Sequence, residues 1–415
     1  MDALATATTR ADERLPFGQV LIAIGGIYLA QSLVGSLTFQ GVPAVLRSTG
    51  AELDTIGLVA LVMLPWALKF LWAPYVERYR LPVGRSRRSR RIVVAGEAIA
   101  ILALIGLAFT APAGHAPLFM LLGAVALASA TVDIACDAFA IEQLAPAARG
   151  WGNTAQVGGG YLGILVGSGL FLILVSTAGW TVAVLSLASM IAVLTLPFAL
   201  AGEPGRPLPP GTARPSLRAA WARPAIRWGL LLTVAFEIGV RLVQGMIGPL
   251  LIDGGLDLAT LGMINGLGGV IAGVSGTLAG GALVRALGAR RAVLTAAALQ
   301  ALTLALLAAA VAGGLAGTGP LVGLVLIQAA AMAIGFVALY SLLMGLASPA
   351  QAGVDFTLFQ CADALVAGLC GFGGGVLAKA WGYGPFFVAA AALAVAGVLA
   401  MPFILRRSLA QEQQQ

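Results

Sequence analysis

Trp180–Leu200, WTVAVLSLASMIAVLTLPFAL, runs directly into residues 201–226, AGEPGRPLPPGTARPSLRAAWARPAI. The first stretch carries no charge and is long enough to cross about 30 Å of hydrocarbon as a helix. The second holds Pro204, Pro207, Pro209, Pro210, Pro215 and Pro224 among Arg206, Arg214, Arg218 and Arg223, and is the only long polar linker in the chain. Working outward from this junction, apolar runs of similar length recur on both sides. With charges and Pro/Gly as punctuation, six fall before it, near residues 17–39, 55–75, 92–112, 117–141, 154–176 and 180–200. Six more follow, near 227–250, 259–284, 291–314, 319–345, 354–378 and 385–405. The expectation is an all-α polytopic membrane protein of twelve transmembrane helices in two six-helix bundles. Residues 17–200 and 227–405 form the bundles, 201–226 the linker, and 1–16 and 406–415 the tails.

The composition agrees. Of 415 residues, 60% are hydrophobic and 10% charged, whereas a soluble domain covers its surface with about a quarter charged residues. Membrane β-barrel strands would read as short alternating segments, and these runs are continuous and rich in Leu, Ala and Gly. The first run continues past Tyr28 and Gln31 to about Phe39, longer than a signal-peptide core, and reads as an uncleaved span. Cys136, Cys361 and Cys370 fall inside predicted spans without metal-ligand spacing, so they read as small buried residues and no metal site is expected.

Arginine placement orients the chain, because Lys and Arg are retained on the cytoplasmic side. Arg78, Arg80, Arg85, Arg87, Arg88, Arg90 and Arg91 follow span 2. The central linker, the Arg285/Arg290/Arg291 turn and Arg406–Arg407 fall on the same side, whereas the opposite loops offer only Arg47, His115 and Lys379. Both termini are therefore expected in the cytoplasm. This topology accounts for the formal net charge of +7, and no nucleic-acid partner is expected.

The two halves echo each other at these turns. Glu77-Arg78-Tyr79 with Gly84-Arg85 follows span 2, and Gly281 through Arg285 with Gly288, Arg290 and Arg291 follows span 8. Both resemble the glycine–acid–arginine–glycine–arginine turn of the major facilitator superfamily, although the acidic position is Glu77 in the first copy and Val284 in the second. A second echo relates Leu144–Gln156 to Leu346–Gln360. The string Leu64-Pro-Trp-Ala-Leu-Lys-Phe-Leu-Trp-Ala-Pro-Tyr-Val-Glu-Arg78, with Asp133, Asp137, Phe139 and Arg149-Gly150, resembles the branch of muropeptide and siderophore permeases (AmpG, RhtX and FptX). Within that branch Val157–Gly163 is most similar to the ferric-pyochelin permeases. The resemblance implies a secondary transporter of the bacterial inner membrane, taking up a ferric siderophore by proton-coupled alternating access, with muropeptides or another amphiphile as the alternative. It implies a monomer in the lipid bilayer with no cofactor and no ATPase partner.

An ionisable side chain at membrane depth costs at least a few kcal/mol and has a partner or a role. In span 2, Lys69 lies beside Trp66, and it either snorkels to the boundary or pairs with an acid or substrate. Asp133 and Asp137 share one face of span 4, where like charges do not both ionise cheaply. They read either as a proton-coupling site or as a gate bridged to Lys69, Arg149 or another cation. Glu77 and Arg78 are gate candidates from the turn motif. Glu97 reads as an interface residue beside Arg90 and Arg91. In span 7, Glu237 precedes Arg241 by four residues with Gln244 beyond, so Arg241 either neutralises Glu237 or holds an anionic substrate group. Asp355 and Asp363 share a face of span 11 with Gln360 between them, one of them available to Arg241 or Lys69. Tyr28, Gln31, Trp66, Gln156, Tyr161, Gln244 and Tyr340 suit a substrate cavity by type, each with helix–helix hydrogen bonding as its alternative.

The clustered glycines at 158–169 and 266–276 lack the strand and Lys-Ser/Thr of a phosphate loop. They read instead as close-packing surfaces that let one bundle rock against the other. An integral-membrane enzyme would need a catalytic constellation at one interface, and a lone histidine with short aqueous loops supplies none.

Overall fold

The computed structural model describes residues 14–49, 59, 62, 64–110, 115–204, 214–256, 260, 263–314 and 317–412. The first tail, the middle of the linker with Pro207, Pro209 and Pro210, and most of the first half of the span expected over 55–75 lie outside them. Among the described residues the chain is all-helical, as expected, and eleven helices are long and apolar enough to cross a membrane. With no water in hydrocarbon to satisfy N–H and C=O groups, continuous helix is the form such segments take.

The first set comprises α1 (Phe17–Ser36), α2 (Ala73–Arg80), α3 (Ser89–Ala108), α4 (His115–Gln143), α5 (Arg149–Ile164) and α6 (Trp180–Leu200). The second comprises α7 (Pro224–Gln244), α8 (Gly269–Leu287), α9 (Ala289–Gly313), α10 (Thr318–Leu346), α11 (Ala352–Trp381) and α12 (Tyr383–Glu412). Single glycines separate some neighbours: Gly179 before α6 and Gly288 between α8 and α9 have φ of 87° and 76°, where other residues are strained.

Two details depart from the sequence reading. The described part of the second span is not one helix, because Leu64–Leu68 passes through a 3₁₀ turn at Lys69–Leu71 before α2 begins. Leu68 leaves the helical backbone region at the start of that turn, and Trp72 Nε1 donates to Thr131 Oγ1 of α4 (3.2 Å). In addition, α1 and α5 each widen into a π-helical turn, at Leu37–Gly41 and Leu165–Leu170.

The chain packs as two compact units. One extends to Ala219 and also takes in Ala347–Thr357, the approach to α11 and its first turns. The other comprises Ala220–Leu346 and Leu358–Gln415. Within the first, α1 packs on α5 and α6, and α3 on α4 and α6; within the second, α7 packs on α12, and α9 on α10 and α12. The pairings α1/α6, α3/α4 and α3/α6 thus recur as α7/α12, α9/α10 and α9/α12, the packing counterpart of the echoes in sequence. Each unit has its own core, centred on residues such as Leu104, Leu122 and Phe171 in one and Leu304, Phe386 and Phe387 in the other. Large apolar side chains also point outward, among them Leu102, Leu200, Leu369 and Leu399, as lipid-facing helices require.

Glycine controls the closest of these contacts. Along α5 and the turn after it, Gly159, Gly163 and Gly167 lie against the backbone of α1. A Cβ on Gly163 would stand 2.3 Å from Ser32 Cβ, and one on Gly167 would stand 2.6 Å from Leu33 O. Gly160, on another face, has nothing within 4 Å. In the second unit Gly276 and Gly280 meet α10 in the same way. Gly163→Val is expected to destabilise the protein by at least about 1–3 kcal/mol through overpacking, whereas Gly160→Ala is expected to be near neutral. Thermal unfolding of the purified variants in detergent measures both.

Candidate functional site

Polar side chains from four elements converge in the interior of the first unit. Lys69, delivered by the 3₁₀ turn, donates to Asp133 Oδ2 of α4. Gln31 of α1, its amide oriented by its neighbours, donates to Asp133 Oδ1 (2.9 Å) and accepts from the Asp133 backbone N–H (3.1 Å). One turn along α4, Asp137 Oδ1 accepts from Tyr28 Oη of α1 (2.8 Å) and from Gln156 Nε2 of α5 (3.2 Å). Lys69, Asp133, Asp137 and Tyr28 are all buried, with Asp137 only 1% exposed. The two aspartates therefore share a face but not an environment. Asp133 pairs with Lys69, and Asp137 Oδ1 accepts from neutral donors. Trp66 meets Phe39 edge-on with centroids 6.2 Å apart, and Tyr161 lies half-buried on α5. Arg149, the other cation considered for these acids, opens α5 and forms no ion pair with either among the described residues.

A second cluster lies at the arginine-rich end of this unit. Of the two gate candidates there, Glu77 pairs with Arg80 and Arg78 lies outside the cluster. Arg80 Nε donates to Glu77 Oε2 (2.7 Å) and its other nitrogens to Glu77 Oε1 (2.8 Å), Glu142 (2.7 and 2.9 Å) and Ser89 Oγ (3.1 Å). Arg87 also donates to Glu142. The reason is helical phase: residues three apart share a face, and adjacent ones diverge by about 100°. Arg78 is exposed, with its Nε on the carbonyl of Pro215 (2.9 Å). Burial alone would lower the Arg80 pKa, but Glu142 and Glu77 outweigh it and hold it above its ordinary value. Glu77 Oε1 further accepts from the backbone N–H of Gly353 (3.2 Å) in the first turn of α11, where the helix dipole favours an anion. A Cβ on Gly353 would stand 2.7 Å from Glu77 Oε2.

Asp355 belongs to the same helix start. Expected on a cavity face with Asp363, it is instead fully buried, accepting from the Ser348 backbone N–H (2.8 Å) and from Gln351 Nε2 (2.6 Å). It serves the α11 N-terminus, as an acidic first-turn residue does. Glu97, expected at the interface, lies two turns inside α3 because that helix starts at Ser89; it is 2% exposed, and its Oε1 has no hydrogen-bond partner among the described residues.

The interior of the second unit holds the third cluster. Arg241 of α7 donates through Nε to Glu237 Oε2 (2.8 Å), through Nη1 to Gln244 Oε1 (3.1 Å) and through Nη2 to Asp363 Oδ1 of α11. Tyr340 Oη of α10 donates to Asp363 Oδ2 (2.5 Å). The Arg241 guanidinium lies 4.7 Å from the centroid of Phe336, which stacks on Tyr340. The guanidinium is thus shared by two carboxylates, Glu237 of its own helix and Asp363 of α11. Gln360 lies half-buried on the same helix as Asp363. Arg80, Glu142 and Phe336 were missed as site residues. For Arg80 the legible signal was its i+3 spacing from Glu77; for the other two no local signal exists.

The Major Facilitator Superfamily profile matches residues 20–310. The anhydromuropeptide permease of Escherichia coli (strain K12) is 28% identical over 293 residues, 69% of this chain. The matched region is 59% of that relative, so the chain spans under two thirds of its length. A bacterial homologue of the iron transporter ferroportin, in its outward-facing state, superposes with a TM-score of 0.70 at 17% identity, covering 94% of this chain and 100% of that one. The transporter FucP in the outward conformation gives 0.69 at 15%, covering 95% and 98%. At these identities the structures speak to fold alone.

Removing one partner of a buried ion pair strands the other. Lys69→Ala is expected to destabilise the protein by about 3–5 kcal/mol, and Lys69→Met with Asp133→Leu to recover most of the loss. Arg80→Ala is expected to cost at least as much as Lys69→Ala, and Arg78→Ala within about 0.5 kcal/mol of nothing. Thermal unfolding midpoints of the purified variants decide both comparisons.

Proposed function

Since the chain belongs to the Major Facilitator Superfamily, we propose that it is a secondary transporter carrying an amphiphilic small molecule of the muropeptide class across the bacterial inner membrane by alternating access, driven by protons. The observation that carries the substrate class is the similarity to anhydromuropeptide permease over 69% of the chain. Members of this family are transporters and not enzymes, and the three polar clusters suit that role: they are ion pairs and hydrogen-bonded carboxyls at membrane depth, a constellation for binding and charge movement. In this reading both termini face the cytoplasm, because the arginine-rich turns and tails lie on that side, and the protein acts as a monomer.

A muropeptide presents hydroxyl and amide groups on its sugars together with peptide carboxylates. In the first unit the half-buried Gln31, Trp66, Gln156 and Tyr161, and in the second the half-buried Tyr340 and Gln360 with the exposed Gln244, are aromatic and hydrogen-bonding groups of the kind such a molecule needs. Lys69 and Arg241 offer cations, each already engaged by carboxylates, so an anionic substrate exchanges for an internal partner and leaves no charge bare. The Glu77–Arg80–Glu142 cluster with Gly353 acts as a gate, since it ties the α2 turn to the first turn of α11 and must break if the two separate.

A ferric siderophore, ferric pyochelin above all, is the second reading, favoured by the sequence Val157–Gly163. Uptake of radiolabelled anhydromuropeptide and of radiolabelled iron as ferric pyochelin, in cells lacking their own permeases and expressing this chain, separates the two. Accumulation of the muropeptide, abolished by a protonophore, is the expected result. Accumulation of iron alone would replace the substrate by the siderophore.

A further inference from the structure

Glu237 of α7 and Asp363 of α11 share one guanidinium, that of Arg241. Their four oxygens are not equivalent. Asp363 Oδ1 accepts from Arg241 and Oδ2 from Tyr340, and Glu237 Oε2 accepts from Arg241. Glu237 Oε1 is 2% exposed as part of its residue and receives no N–H or O–H from any described residue. Two ionised carboxylates on one arginine leave a net charge of −1 in a low dielectric. One proton on Glu237 Oε1 removes that charge and gives the last oxygen a hydrogen to donate.

We propose that the Glu237–Asp363 pair, bridged by Arg241, is the proton-coupling site of this transporter, with the proton resident on Glu237 Oε1. This rests on the transport reading above and adds where the proton sits. Only an O–H bond changes: a proton from water on one side of the membrane joins the pair and later returns to water on the other. Protonated, the cluster is neutral and held together; deprotonated, it carries one uncompensated negative charge and favours a different arrangement of α7, α10 and α11. The surroundings isolate it. Among the described residues, Arg241 on α7, Tyr340 on α10, and Asp363 and Cys370 on α11 are the titratable groups facing it, and α9 and α12 carry none between residues 292–313 and 384–405. The first unit contrasts with this. There the acids sit on separate contacts: Asp133 pairs with Lys69, and Asp137 Oδ1 accepts from Tyr28 and Gln156.

Two measurements test the proposal. Infrared spectroscopy of the purified protein in lipid nanodiscs, in H₂O and D₂O, reads protonated carboxyl C=O stretches directly and needs no substrate. A band lost in Glu237→Gln and perturbed in Asp363→Asn is expected. Its persistence in Glu237→Gln, or its loss only in Glu97→Gln, would overturn the assignment. In proteoliposomes loaded with anhydromuropeptide, Glu237→Gln is expected to exchange internal for external substrate while losing proton-driven accumulation. Retained accumulation in Glu237→Gln with loss in Asp137→Asn would move the site to the first unit and overturn it. Should the unaltered protein transport neither muropeptide nor ferric pyochelin, the substrate reading fails, and the infrared band still decides where the proton resides.

Discussion

A charge carried into a membrane-spanning bundle must meet an opposite charge, hydrogen-bonding donors or a proton, because no water is there to solvate it. Much of this structure follows from that constraint. Lys69 meets Asp133, Arg80 meets Glu77 and Glu142, and Arg241 meets Glu237 and Asp363. Most of these contacts join different helices, so the compensation of charge also fixes which helices stay together. The three clusters differ in their balance. One holds Lys69 with Asp133 and Asp137, one has arginines and acids in equal number once Arg87 is included, and one has two acids on a single shared arginine. In the proposed coupling site that sharing lets a proton enter and leave without a change in partners.

The rest of the packing depends on surfaces without side chains. α1 and α5 approach until backbone meets backbone, which only the Gly159, Gly163 and Gly167 row allows. That approach brings Tyr28 and Gln31 on one helix within reach of the same α4 aspartates that Gln156 reaches from the other. The recurrence of three helix pairings in the two units shows that duplicated sequence carries duplicated packing. It does not carry duplicated chemistry: Glu77 has Val284 at the equivalent turn position, and the buried acid–arginine clusters occupy different helices in the two units.

How far this was readable from the chain depends on the range of the interaction concerned. Helix existence and span length follow from local hydropathy, and the family followed from short strings whose residues lie next to one another. Membrane depth for Lys69, Asp133, Asp137, Glu237, Arg241 and Asp363 was legible for the same reason. Their partners were legible only within one helix, as with Glu237 and Arg241. The Glu77–Arg80 pair had the same local signal, three residues apart, but the turn motif put Arg78 forward as the gate candidate beside Glu77.

Hydropathy and motif spacing along the chain thus suffice for an all-helical membrane transporter of two halves, because hydrophobic length and helical period are properties of neighbouring residues. That Asp133 pairs with Lys69, that Asp137 accepts from Tyr28 and Gln156, that Asp355 serves a helix start, and that Glu237 and Asp363 share one arginine came from the folded structure alone. Each of those outcomes depends on distances between helices far apart in the chain, and on a break in the second span at Lys69–Leu71 that turns a cation toward the fourth.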